Sequence, residues 1–305
     1  MGNAPAQLRD PFDDDTDQIG CSLLWVLLTT MGNSNAAASP PKGKKVLLAK
    51  LATADKTGVL NLADQDLKPN SSIWLKISQD GLLPKLKSLD ISGNAIKGLP
   101  GELNMMTNLK SLHAARSTLQ RTHDISSLNR LTQLNLDGND LEVDVFGPLP
   151  TSLQKLSVAQ NHFKTVPHVL STLVNVIELN LGGNRIENTN GLGLLVALVD
   201  LNLDENALVE VSEDLGLLTN LRHLSLKLNK IGKSAVTREG QSIPEFLFVN
   251  TALDSIDLSN NPLLTKAMVM DFAGVDVFLE RRKRTKDKAF QGGAMLDVSL
   301  FGDLA

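Results

Sequence analysis

The sequence predicts a solenoid of the α/β class: short strands stacked in one parallel sheet, helical turns on the opposite side, and a helix closing each end. Three observations carry this expectation. An eleven-residue pattern recurs nine times, its spacing is nearly constant, and the flanking segments have helical rather than repeat periodicity.

The pattern is L-x-x-L-x-L-x-x-N-x-L. It reads "LKSLDISGNAI" (86–96), "LTQLNLDGNDL" (131–141), "LQKLSVAQNHF" (153–163), "VIELNLGGNRI" (176–186), "LVDLNLDENAL" (198–208), "LRHLSLKLNKI" (221–231) and "LDSIDLSNNPL" (253–263). Two weaker copies complete the register, "LKSLHAARSTL" with Ser117 in the Asn place and "LNLADQDL" with Gln65 there. The Asn-equivalent positions are separated by 29, 23, 22, 22, 23, 22, 23 and 32 residues. Six successive spacings of 22 or 23 identify a leucine-rich repeat solenoid, a curved horseshoe whose strands line the concave face.

Each residue type follows from its place. Alternating leucines point inward from a short strand, and the residues between them face outward. Asn94, Asn139, Asn161, Asn184, Asn206, Asn229 and Asn261 fall where the chain turns. An amide both donates and accepts, so a ladder of them satisfies backbone groups that the turn leaves unpaired. These positions are structural. Between strands, "KGLPGELNMMTNL" and "KTVPHVLSTLVNV" have helical period and belong on the convex side. The 29 and 32 spacings mark longer connections, and Trp74 in the first is read as a packing residue.

The array needs caps, since an open last repeat exposes its leucine row. Residues 46–56 place Val46, Leu47, Leu51 and Ala54 at helical spacing; after the repeats of 57–263, residues 264–290 put Met268, Phe272, Val275 and Leu279 on one stripe and end in a basic run. Residues 31–45 read as a flexible arm and 291–305 as a disordered tail. Residues 1–30 are either a segment ahead of a functional start at Met31 or a disordered acidic extension. Arg9 with Asp10, Asp13, Asp14, Asp15 and Asp17 accounts for the whole net charge of -4, so the remainder is neutral and gives no case for nucleic-acid binding.

With its Met31-Gly32-Asn33-Ser34 start, "ADKTGVLNLADQDL" at the head of the array and "NPLLTKAMVMDFAGVDVFLERRKRTKDKAF" at its foot, the chain resembles the small intracellular leucine-rich repeat proteins from Met31 to about Phe290. It departs from them in the leader, the degenerate repeat at 109–119 and the tail. The resemblance implies a cytoplasmic interaction protein. Cys21 alone cannot form an intrachain disulfide, which agrees with a reducing compartment. Exposed by removal of Met31, Gly32 would be a lipidation site and give peripheral membrane contact through an acyl chain, although Ala36 stands where the motif prefers Ser or Thr.

No enzyme, metal or cofactor constellation is evident. Gly232-Lys233-Ser234 has Lys227 where a phosphate loop needs its first glycine, and no two histidines have ligand spacing. The expected function is therefore binding of a protein partner, by a monomer, on the concave face. Asp137, Glu178, Asp200, Asp204 and Glu205 are predicted to form an acidic strip for a basic partner, with His223 and Lys227 beside it. The alternative is a regulatory subunit of a phosphatase, small GTPase or ubiquitin ligase. An extracellular receptor fragment is disfavoured by missing Cys-rich flanks, with the sequon at 70–72 as its one sign.

Overall fold

The computed structural model describes residues 42–69, 71–232 and 242–291. The chain divides into two compact units, Met1–Leu47 and Leu48–Ala305. The leader, most of the arm with Gly32, and the tail lie outside the described residues.

Nine strands of three residues each form one open sheet: β1 Val59–Asn61, β2 Ser88–Asp90, β3 Ser111–His113, β4 Gln133–Asn135, β5 Lys155–Ser157, β6 Glu178–Asn180, β7 Asp200–Asn202, β8 His223–Ser225 and β9 Ser255–Asp257. All neighbours pair in parallel and in chain order. The central residues, from Leu60 through Leu89, Leu112, Leu134, Leu156, Leu179, Leu201 and Leu224 to Ile256, stand in exact register and are buried. Because side chains alternate across a strand, the residues on either side face outward. A three-residue strand thus supplies one core residue and two surface positions per repeat.

The asparagine ladder holds the repeats together from the inside. Asn184 is typical: its Nδ2 donates to Leu181 O at 2.9 Å in its own repeat and to Val158 O at 3.1 Å in the preceding one, and its Oδ1 accepts from Phe163 N at 3.2 Å. Asn139, Asn161, Asn206, Asn229 and Asn261 make the same three links. Asn94 makes them too, and both it and Asn139 accept twice, from Gln65 N and Leu67 N and from Ser117 N and Leu119 N. All seven are buried. Ser117 is a reduced version; its hydroxyl reaches Ile91 O of the preceding repeat at 2.9 Å but has no second proton to give. Gln65 departs from the ladder: it is exposed, and its side chain turns back on Ala63 O and Asp64 O.

On the convex side the helical period becomes single 3-10 turns at Gly101–Met105, His168–Thr172, Leu192–Leu194 and Glu213–Leu217. Repeats of 22 or 23 residues leave room for little more. The longer connections hold true α-helices. Helix α2 (Ile73–Gln79) buries Ile73, Trp74 and Ile77, so Trp74 packs. Helix α3 (Glu245–Asn250) buries Leu247 and Phe248 in the last connection.

The ends differ in detail from the expected stripes. Helix α1 runs Lys42–Thr57 and buries Leu51 and Ala54, whereas Val46 is exposed. The C-terminal segment is two helices, α4 (Lys266–Met270) and α5 (Val275–Gln291), because Gly274 takes φ +80° between them. A Cβ there would lie 2.9 Å from Val249 Cγ2 and 3.2 Å from Glu245 O on α3. The break rotates the stripe, burying Val269, Phe272, Val275 and Phe278 and leaving Met268 exposed and Leu279 half-buried. Phe278 packs on Phe248 at 5.9 Å between ring centres, and Arg281 donates to Phe248 O and Leu253 O, capping α3. Arg281 is thereby drawn out of the basic run and into the fold.

Two expectations follow. Asn184→Ala should lower unfolding stability by about 1–3 kcal/mol, since it leaves buried carbonyls and an amide unpaired, whereas exposed-face Asp200→Ala should stay within about 0.5 kcal/mol. Urea unfolding of both variants checks the contrast. Gly274→Ala should melt several degrees lower by combining a left-handed φ with a clash against α3, while Gly191→Ala, also at positive φ but with open space around it, should lose less in the same thermal scan.

Candidate interaction surface

Outward residues of β3 to β9 line a trough of about 770 Å³ along the sheet. One column, at the first strand position, runs Gln133, Lys155, Glu178, Asp200, His223 and Ser255; the other, at the third, runs His113, Asn135, Ser157, Asn180, Asn202, Ser225 and Asp257. No Phe or Trp lines it.

The first column carries charge. Glu178 and Asp200 are direct register partners on adjacent strands, a like-charged pair that the sheet holds side by side. Each is also paired on its far side. Lys155 Nζ lies 2.5 Å from Glu178 Oε1, and His223 Nδ1 bonds Asp200 Oδ1. His223 Nε2 is 3.4 Å from Asp254, which Arg222 also approaches at 3.7 Å. Lys227 Nζ sits 3.0 Å from Asp257 Oδ2. The trough therefore presents one lysine against three carboxylates, Glu178, Asp200 and Asp257.

The third strand position has a different task. Asn61, Asp90, Asn135, Asn180, Asn202 and Asp257 each accept, through Oδ1, the N–H two residues on, at 2.8–3.1 Å. These Asx turns lead the chain out of each strand. Asp257 additionally receives the Ser259 hydroxyl and Lys227. Burial alone would raise its pKa, but the Ser259 hydroxyl and amide and the Lys227 ammonium outweigh this and hold it below the ordinary carboxylate value.

The predicted acidic strip is thus only partly a strip. Glu178, Asp200 and His223 meet in the trough, and Lys227 pairs with Asp257 beside it. Asp137 and Asp204 do not line it: they occupy the turns after β4 and β7 and staple one repeat to the next. Asp137 Oδ1 accepts from Ser157 Oγ at 2.6 Å and Ala159 N at 2.7 Å, and Asp204 Oδ1 from Ser225 Oγ at 2.6 Å and Lys227 N at 2.8 Å. Glu205 is exposed at the turn with φ 54°, outside the lining set. Sequence reasoning passed over Lys155, Asp257 and the asparagines of the third column. Their signal was present in the repeat itself: Lys155 holds the first outward position of "KLS", and "LNL" and "IDL" put the asparagines and Asp257 two residues after that position. Of the histidines outside the trough, His123 buries its Nε2 without a partner among the described residues.

No family model matches the sequence. Among solved structures the chain is similar to one in the octameric complex of Latrophilin 3, Unc5D and FLRT2, the last described as its leucine-rich repeat component, with TM-score 0.54, 22% identity, and coverage of 70% of this chain and 71% of that one. A leucine-rich repeat protein of Leptospira interrogans gives TM-score 0.51 at 20% identity over 72% of this chain and 74% of the other. An internalin of Listeria monocytogenes gives 0.51 at 24% identity over 68% of this chain; the matched region spans 56% of the internalin chain. Together with the nine-stranded parallel sheet, these likenesses establish the leucine-rich repeat fold.

The lowered pKa of Asp257 has a pH consequence. A carboxylate titrating lower in the folded than the unfolded chain stabilises the fold above the unfolded value, near pH 3.9, and loses that contribution as pH falls through its folded pKa. The stability gap between the parent and Asp257→Asn, read by urea unfolding, should be open at neutral pH and narrow on acidification below about pH 3.9. A gap independent of pH would dissociate the Ser259 and Lys227 contacts from the charge.

Proposed function

We propose that the protein is a non-catalytic interaction scaffold whose trough over β4 to β9 receives a basic segment of a partner protein. One observation carries the reading: Glu178 and Asp200 lie next to each other in register at the centre of the trough, with a single lysine among the charged lining against three carboxylates. Two carboxylates held together repel, and a cation placed between them relieves that repulsion. The ion pairs with Lys155 and His223 are half exposed, so an incoming cation displaces them at little cost. A second reading, a regulatory subunit of a phosphatase, GTPase or ubiquitin ligase, uses the same surface and differs in recovering one stoichiometric enzyme on purification.

The setting we propose is cytoplasmic, for a monomer with partial membrane residence. The ends of the chain resemble those of leucine-rich repeat-containing protein 57, and a polypeptide begun at Met31 would expose Gly32 for acylation ahead of Lys42, Lys44 and Lys45. One acyl chain binds membranes only marginally, and each nearby lysine adds about 1 kcal/mol at an anionic leaflet. No helix among the described residues is long and apolar enough to cross a membrane.

Affinity purification from cell extract with the parent and with Glu178→Gln/Asp200→Asn tests the trough. The double variant should recover its partners at least several-fold less well with little change in melting temperature, and parent capture should weaken as salt rises. Recovery insensitive to both would move the binding site to the convex side or the longer connections. For the membrane, a chain begun at Met31 should partition partly to membranes and Gly32→Ala should release it. An unacylated Gly32 by intact mass, with all material in the soluble fraction, would sink that part.

A further inference from the structure

The third column of the trough contains hydrogen-bond donors that no described residue accepts. On β4, β6 and β7, the Oδ1 atoms of Asn135, Asn180 and Asn202 receive the N–H of Asp137, Gly182 and Asp204. A backbone N–H can only donate, so it fixes which end of each amide faces the turn. The three residues are half-buried and line the trough, with the Nδ2 ends turned away from those N–H groups. Asn61 differs, because its Nδ2 is engaged with Asp90. Between and beside these amides, Ser157 and Ser225 commit their hydroxyl protons to Asp137 and Asp204 and present lone pairs only. Across five register-paired positions the floor thus reads donor, acceptor, donor, donor, acceptor.

We infer that Asn135, Asn180 and Asn202 bind main-chain carbonyls of an extended, lysine- or arginine-bearing peptide segment laid across β4 to β7, rather than a helix or a folded surface. The inference rests on the trough being the partner site, as proposed above. A helix laid across the strands answers these donors poorly, since all but the carbonyls of its last turn are engaged with its own N–H groups four residues on. An extended chain leaves its carbonyls unengaged, those on one edge recurring about every 6.6 Å, and successive strands lie about 4.8 Å apart, so a segment crossing the strands obliquely can offer one to each neighbouring amide. Donors in an open trough are answered by solvent, and a carbonyl reproduces the hydrogen bond that a water supplies. The absence of Phe and Trp from the lining fits recognition of main chain rather than of large side chains. The basic residue follows from Glu178 and Asp200, which stand two residues before Asn180 and Asn202 on the same face of the same two strands. The amides take the chain and the carboxylates take its cation.

The test starts from a random linear peptide library selected on the full chain, with the tightest peptide resynthesised and its affinity measured. Asn180→Asp/Asn202→Asp keeps an oxygen for the Gly182 and Asp204 N–H groups but replaces both donors with anionic acceptors. If the amides grip carbonyls, this variant should bind the peptide about tenfold more weakly, the loss of two hydrogen bonds, despite its added negative charge. If attraction is only between carboxylates and basic side chains, it should bind as well or more tightly, which would overturn the inference and leave the scaffold reading intact. Enrichment of no linear peptide would overturn it too. Against a fold defect in the variant, the second measurement uses the parent protein: replacing single main-chain amides of the peptide by esters weakens the carbonyl as an acceptor, and should lower affinity several-fold at some positions. An ester series with no effect anywhere would refute the carbonyl contact whatever the variant does.

Discussion

Backbone satisfaction at the turns is the constraint on which everything else depends. A repeat of 22 or 23 residues must reverse direction several times within a buried environment, and each reversal strands carbonyls and amides that water cannot reach. The ladder asparagines meet this with one side chain that bonds within its repeat and to the repeat before it. Because Asn184 and its counterparts reach backward, each turn is completed by the next repeat. The same side chains therefore shape the turn and set the translation between repeats, which brings the central leucines into register and the outward residues into columns.

The trough inherits its chemistry from that geometry. Columns one strand apart force residues distant in sequence to be neighbours: Glu178 beside Asp200, Lys155 beside Glu178, His223 beside Asp200. Most of the resulting charge is compensated within the protein, and two of its acids, Asp137 and Asp204, are construction elements rather than surface. What remains is a pair of like charges, each bonded to one half-exposed neighbour, Lys155 or His223, and a row of oriented amides.

The fold was legible in the sequence because the repeat encodes it redundantly: one Asn or one Leu lost still leaves eight copies to fix the period. The caps were legible in kind but not in face. Helical spacing picked Met268 and Leu279, yet the left-handed Gly274 resets the phase, and nothing in the periodicity of 264–290 distinguishes one helix from two. The trough was half legible. Outward strand residues follow from alternation, so Glu178, Asp200 and His223 were found; Asp137 and Asp204 were misplaced because a residue just past a strand can face the surface or the next repeat, and only the serine opposite decides which. Lys155 and Asp257 were passed over because weight was given to a run of like charge, whereas the sheet mixes signs across neighbours.

Ser117 gives the array a seam. In a linear stack each unit is coupled only to its neighbours, so cooperativity is as strong as its weakest junction. The junctions after the first repeat and from the third repeat onward each carry an asparagine that both gives and takes a hydrogen bond across the interface. At the junction of β2 and β3 a hydroxyl gives one and its side chain takes none. The junction keeps other links, Ile96 N donating to Ser117 O and Ala115 N to Ser92 Oγ, both at 3.2 Å, and its lighter side-chain coupling is expected to show as amide exchange in β1 and β2 at a lower free energy than in β6 and β7. The row of oriented amides that begins at Asn135 on β4 lies wholly beyond that junction.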